Sequence, residues 1–146
     1  MLHAVVLPVD VSLYATPDME SRVVIRTSDG NTLNSEDHSS PRGEQGYHVY
    51  AAKWSPDSAF FMYSLTSSGG HQPWSFPIMV YSRKRNAIAK FSDMIGGLPT
   101  LLGSFDVSGP NSLTAATWKE QGAFDDPVPV TADLETAFDK LTPPAE

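Results

Sequence analysis

The chain has 146 residues, which is enough for one domain with a substantial hydrophobic core. Charged residues are only 18% of the chain against a usual share of about 25%, and Ser, Thr, Gly and Pro fill the difference, as is typical of turn-rich β proteins. A net charge of −7 argues against nucleic acid as a partner. The absence of cysteine excludes disulfides and thiol catalysis. No apolar run approaches the roughly 20 residues that a membrane-spanning helix needs.

The N-terminal part predicts a small group of strands followed by a loop. Residues 3–7 and the β-branched run 22–27 are predicted strands. An Asp-Gly turn at 29–30 leads into a short return strand at 31–34. The polar segment 35–46 has no periodicity, so we expect a flexible surface loop there. The apolar opening of the chain is too short, and lacks the basic flank, for a signal peptide.

The centre of the chain predicts an antiparallel meander of four strands. The strands are expected at Tyr47–Trp54, 59–65, 76–82 and 87–91. The first two are joined by a Ser-Pro-Asp-Ser turn at 55–58, in which proline presets φ and the Ser and Asp side chains bond nearby amides. Strand 59–65 is apolar on both faces, so it should be central in its sheet.

Alternation assigns the residues of the first central strand to two faces. One face should carry Tyr47, Val49, Ala51 and Lys53, and the opposite face His48, Tyr50, Ala52 and Trp54.

The C-terminal part has weaker signals. We expect one helical turn at 92–95, strands at 103–107 and 112–118, and an edge strand around Val128 and Val130, because two prolines flank it.

The last predicted element is a helix over 131–141, followed by a tail at 142–146. Thr131 is the expected N-cap. One apolar face of this helix is formed by Leu134, Ala137, Phe138 and Leu141. The sequence therefore predicts a single all-β or β-dominated domain over residues 1–146, with a blade-like antiparallel meander and a short C-terminal helix.

The segment Trp54-Ser55-Pro56-Asp57-Ser58, followed by an apolar strand, resembles one blade of the TolB-type β-propeller repeat. In that repeat an aromatic-Ser-Pro-Asp-Gly pattern precedes an apolar strand, and here Ser58 stands in the usual Gly place. The resemblance covers about residues 48–91, and 146 residues are too few for a closed ring of such blades. It implies a blade-like meander that serves as a scaffold or binding surface.

A second, looser similarity concerns size, acidity and a protruding Ser/Gly loop at 67–74. Small, acidic, all-β bacterial domains of this kind are similar to some immunity proteins of type VI secretion systems. The similarity implies a periplasmic or secreted protein that blocks a peptidoglycan-degrading toxin by inserting a loop into its catalytic cleft.

The 66–74 loop is the candidate binding site, because a flexible tip between two strands lies beside residue types that recognise proteins. Its predicted partner-binding residues are Ser67, Ser68, Gly69, Gly70, His71, Gln72 and Trp74. The alternative interpretation is a long hairpin loop whose Trp74 folds back onto the core.

Catalytic and metal-binding interpretations have less support in the sequence. Ser67 or Ser68 with His71 and Asp57 has the composition of a hydrolytic triad, but no Gly-x-Ser-x-Gly elbow is present. The four histidines lack the spacings that place two imidazoles on one metal. Asp57 is expected to cap its own turn, and the basic run 83–85 to be a solvated hairpin turn.

The sequence thus predicts a non-catalytic protein-binding domain without cofactor or metal, of the inhibitor or immunity type. Two alternatives are a structural or accessory β domain of a bacterial envelope assembly and, with less support, a small Ser/His hydrolase.

Overall fold

The computed structural model describes residues 2–8, 20–39, 46–67, 76–97, 100–101, 104–117 and 127–141, which form strands and two short helices. The strands make three antiparallel sheets. This architecture confirms the predicted β-dominated fold with a short C-terminal helix. Within the described residues, no helix is long and apolar enough to cross a membrane.

The first sheet contains β1 (Leu2–Pro8), β2 (Ser21–Thr27) and β3 (Thr32–Asp37), in that order. Gly30 takes a φ of +89° in the turn between β2 and β3, a conformation that glycine accepts without a Cβ clash. The predicted loop at 35–46 is wrong for its first three residues, which continue β3. Backbone pairing with residues 22–24 of β2 holds them in the strand, while their polar side chains are exposed.

The central sheet contains β4 (Tyr47–Trp54), β5 (Phe60–Ser67), β6 (Ile78–Ser82) and β7 (Ala87–Lys90), in that order. Successive strands are antiparallel neighbours, so the predicted meander is confirmed.

The turn between β4 and β5 is held as the sequence predicts. The Asp57 carboxylate accepts hydrogen bonds from the Ser55 hydroxyl (2.7 Å) and the Ala59 amide (3.0 Å). These two bonds hold the pKa of Asp57 below its ordinary value. Asp57 therefore caps its own turn.

The predicted faces of β4 are wrong beyond Val49, because the register to β5 shifts between Val49 and Ala51. This β-bulge inserts one extra residue and reverses the alternation. Trp54 consequently packs on the same side of the sheet as Tyr47 and Val49, whereas Ala51 packs on the other side.

The third sheet contains β8 (Asp106–Ser108), β9 (Ser112–Thr117) and β10 (Val128–Asp133), with β9 in the middle. The strand β10 is at the edge, as its prolines predict. The helix α1 (Phe91–Met94) follows the central sheet and α2 (Leu134–Leu141) follows β10. The predicted C-terminal tail, 142–146, lies outside the described residues.

The helix α2 begins three residues later than predicted, because residues 131–133 continue β10. Their backbone pairs with residues 112–114 of β9. Thr131 is therefore not the N-cap. Asp133 takes that place, since its carboxylate accepts a hydrogen bond from the Thr136 amide at 3.0 Å.

The central sheet is buried on both faces. Phe60 and Met62 face the third sheet and the helices, and the ring of Phe138 stacks on that of Phe60 at 6.0 Å. Phe61 and Tyr63 face the first sheet. The strand β5 thus has a core on each side, as the apolar residues on both of its faces predict, and the first and third sheets cover the two faces.

Candidate functional site

The predicted binding loop, 66–74, starts too early, because Thr66 and Ser67 continue β5 by pairing with β4. Ser67 is half-buried and pairs with Tyr47. The other predicted site residues, Ser68, Gly69, Gly70, His71, Gln72 and Trp74, lie outside the described residues. The structure therefore describes the loop's base and not its tip.

The chain returns from the loop through a fixed anchor. The Phe76 amide donates to the carbonyl of buried Thr100 at 2.8 Å, and the Thr100 hydroxyl donates back to the Phe76 carbonyl. The Leu65 amide donates to the Pro77 carbonyl at 2.8 Å. Both ends of the loop are thus held to the sheet within a few residues of its first and last positions.

An aromatic pair with one exposed ring lies at the base of the loop. Tyr50 is the extra residue of the β4 bulge and is 61% exposed, the most of the large hydrophobic side chains described. Its ring meets that of half-buried Phe76 edge-on, with centroids 5.4 Å apart. We call Tyr50, Ser67, Phe76 and Thr100 the loop foot. Alternation in the sequence predicts a regular strand position for Tyr50. Its place on this surface follows from the bulge in β4.

His48 lies in β4 opposite Thr66 and is half-buried. Among the described residues, its Nδ1 is a buried side-chain nitrogen without a hydrogen-bond partner. An unpaired buried polar atom costs free energy, so His48 is a group that a further contact would stabilise.

Asp57 lies too far from Ser67 to serve in a shared triad. The two residues flank opposite ends of β5, whose eight residues extend roughly 23 Å at about 3.3 Å per residue. A hydrogen-bonded Ser-His-Asp set needs its members within direct contact. Asp57 therefore stays a turn residue.

The basic run at 83–85 divides into two kinds of residue. Arg83 and Lys84 are exposed, as predicted for a solvated turn. Arg85 differs, because its side chain is only 15% exposed and binds Glu135 (3.0 Å) and Asp139 (2.6 Å) of α2. Its guanidinium also lies over the Phe138 ring, 5.2 Å from the centroid. Arg85 thus attaches α2 to the central sheet.

A buried polar cluster, which sequence reasoning did not predict, joins the first and central sheets. The His38 amide donates to the Ser21 carbonyl (3.0 Å), and the His38 carbonyl accepts from the Tyr47 amide (2.8 Å). The buried Glu20 carboxylate accepts the Gly46 amide. We call these residues the sheet joint. His38 fell in the predicted loop, which is why sequence reasoning treated it as solvated.

The pKa values of two groups at the sheet joint, His38 and Tyr63, are shifted. The His38 Nε2 and Tyr63 hydroxyl oxygen are 2.9 Å apart. Burial lowers the pKa of His38 and raises the pKa of Tyr63, because both charged forms are poorly solvated there. Because the hydrogen bonds of these residues join two sheets, we interpret the cluster as structural.

The described residues contain no group of three or more His, Asp or Glu side chains able to hold a metal ion. Comparison of the chain with models of protein families, with curated proteins and with solved structures finds no match.

Proposed function

We propose that the protein is a non-catalytic protein-binding domain that presents the 66–74 loop and its foot to a partner. The observation that carries the proposal is Tyr50, an aromatic side chain displaced outward by the bulge and held edge-on by Phe76. Tyr and Trp are enriched among residues that dominate interface energy, because they bury a large area with few rotatable bonds. Trp74 belongs to the same loop in the sequence.

The rigid support of the loop favours the same function. A loop whose ends are fixed on a sheet buried on both faces loses less conformational freedom on binding than a loop on a mobile scaffold. The hydrogen bonds of Phe76 and Leu65 supply this support on the return side.

In its more specific form, the proposal is an inhibitor of the immunity type, periplasmic or secreted, whose loop enters the catalytic cleft of a peptidoglycan-degrading toxin. This form rests on the similarity of small, acidic β domains described above. The net charge of −7 favours a basic partner and predicts that association slows and weakens as salt is added.

The test is affinity capture with the full chain from an extract of the native organism, followed by calorimetry with the captured partner. Tyr50→Ala and Ser68→Arg should each weaken binding about 30-fold or more, as the loss of an interface anchor does. Leu33→Ala is the matched control, because Leu33 is also an exposed apolar side chain (40%) but lies on β3 of the first sheet.

Unchanged affinity in both Tyr50→Ala and Ser68→Arg would refute the proposed surface. A partner that is a cell-wall hydrolase, and whose activity is lost on adding the protein, would support the inhibitor form. A captured envelope scaffold protein that binds all variants equally would favour the accessory-domain alternative instead.

A further inference from the structure

A cavity of about 280 Å³ opens at the opposite end of the central sheet from the loop foot. It lies between the first and central sheets and is lined by Leu2 of β1, Trp54 of β4, Ser58 of the connecting turn and Arg83 of the next turn. Its volume is near the lower limit for pockets that bind small molecules. None of these residues belongs to the loop foot or to the sheet joint.

Ser58 adopts a backbone conformation that favours glycine. Its φ is +60°, in the left-handed region that residues with a Cβ rarely adopt. A side chain retained in such a conformation is an outlier from which a functional hypothesis can be drawn. Ser58 is also one of the residues that line the cavity, where glycine would bring no hydroxyl group.

Arg83 adds a cationic residue to the lining of the same cavity. Its backbone amide is fixed by a hydrogen bond to the Ala59 carbonyl at 2.9 Å, whereas its side chain is exposed. Among the described residues, no carboxylate forms an ion pair with Arg83, in contrast to Arg85 two residues later. As far as the described residues show, the guanidinium is therefore available to an anion.

Trp54 forms the apolar wall of the cavity. It is half-buried and tilted against Phe61, with ring centroids 5.2 Å apart, so its indole is held in place by the core. Leu2 lines the cavity from the first sheet. A flat hydrophobic group can pack against the indole and Leu2.

We propose that this cavity binds a small planar carboxylate. The ring of the ligand packs against Trp54 and Leu2, and its carboxylate accepts hydrogen bonds from the Arg83 guanidinium and the Ser58 hydroxyl. Arginine suits this role because its planar fork of donors matches a carboxylate. The site lies at the other end of β4 from the proposed protein-binding surface, so it is independent of that function.

The experiment uses indole-3-acetate as the probe and neutral indole as its uncharged counterpart. The full chain is titrated while the indole N–H signals of the three tryptophans are followed by NMR, with Trp54→Phe assigning the Trp54 signal. We expect a saturable shift of the Trp54 signal with indole-3-acetate. Arg83→Gln should weaken this binding about tenfold or more, the usual effect of losing a charge-assisted hydrogen bond.

Lys84→Gln is the matched control, because Lys84 is the adjacent exposed cation and does not line the cavity. Its affinity for indole-3-acetate should equal that of the wild type. Ser58→Gly should weaken binding while leaving the melting temperature unchanged or raised, since glycine relieves the left-handed backbone.

Three results would overturn the proposal. One is the absence of a saturable Trp54 shift in the wild type at millimolar probe. Another is equal loss of affinity in Arg83→Gln and Lys84→Gln. The third is equal affinity for indole and indole-3-acetate, a comparison in wild-type protein that stands even if a variant fails to fold.

Discussion

The Nε2 atom of His38 lies 2.9 Å from the hydroxyl oxygen of Tyr63, and the two rings meet edge-on with centroids 5.5 Å apart. The contact joins the end of the first sheet to β5, an inner strand of the central sheet. Because the His38 backbone also bonds to Ser21 and Tyr47, one residue connects the two sheets by its side chain and its main chain.

This arrangement predicts that stability falls in mild acid. Burial lowers the pKa of His38, Asp37 opposes that shift, and Lys90 adds to it. The unfolded chain takes up a proton near the ordinary histidine pKa of about 6.5, whereas folded His38 stays neutral to a lower pH. The free energy of unfolding should therefore decrease as the pH drops below about 6.5, and this decrease should end once folded His38 is protonated.

Chemical denaturation between pH 8 and pH 5 measures this effect, and His38→Gln is the control. The variant keeps a hydrogen-bonding side chain but has no titrating imidazole, so the decrease should be smaller than in the wild type. A pH dependence identical in the two proteins would contradict the role of His38. The lowered pKa values of Asp37 and Asp57 act below about pH 4 and do not interfere.

The two-sided core predicts that both faces of β5 are sensitive to truncation. Phe60 is fully buried toward the third sheet and Phe61 nearly so toward the first. Phe60→Ala and Phe61→Ala should each lower the free energy of unfolding by about 3–5 kcal/mol, through lost burial and the cavity that remains. Tyr50→Ala serves as the control, because removing this exposed ring from β4 should lower the free energy of unfolding by less than about 1 kcal/mol. Denaturant titration distinguishes these outcomes, and a small effect at either phenylalanine would show that its face is not a core.

The ion pairs between Arg85 and α2 predict that part of the protein's stability depends on salt concentration. Arg85→Gln removes the contacts to Glu135, Asp139 and the Phe138 ring, and should cost about 1 kcal/mol, because part of the cluster is exposed and screened. Lys84→Gln in the same turn should have almost no effect. Thermal unfolding at 0.05 M and 1 M NaCl should show a smaller difference between wild type and Arg85→Gln at high salt. A difference that does not shrink would assign the contribution of Arg85 to packing alone.

The central meander could be predicted from sequence because its signals are local. The Ser-Pro-Asp-Ser turn fixes the connection, and the apolar run of β5 fits a strand covered on both faces. The errors arose where a non-local pairing decided the structure. Residues 131–133 carry a helix-start pattern, but their backbone pairs with β9, so the cap moves to Asp133.

The candidate site was less accessible to sequence reasoning for the same reason. The bulge at Tyr50 depends on the register between β4 and β5, and a single extra residue reverses every face after it. Alternation read along β4 alone therefore assigned Tyr50 and Trp54 to one face. The sheet joint was missed because it depends on contacts between residues far apart in the chain. The His38 amide donates to the Ser21 carbonyl, and the Gly46 amide donates to the Glu20 carboxylate.

Gly46 provides the last prediction, because its missing side chain is what allows the sheet joint to close. It is buried, and a methyl group on its Cα would overlap the His38 carbonyl oxygen and the Glu20 carboxylate. Gly46→Ala should therefore lower the free energy of unfolding by about 1–3 kcal/mol, as overpacking does in a dense interior. The same overlap should push His38 away from Tyr63 and admit water, so the pKa of His38 should rise toward its ordinary value. Denaturation and an NMR titration of the histidine ring measure the two effects on one variant. A stable Gly46→Ala protein with an unchanged His38 titration would show that the close approach of residues 20, 38 and 46 is not needed for the joint.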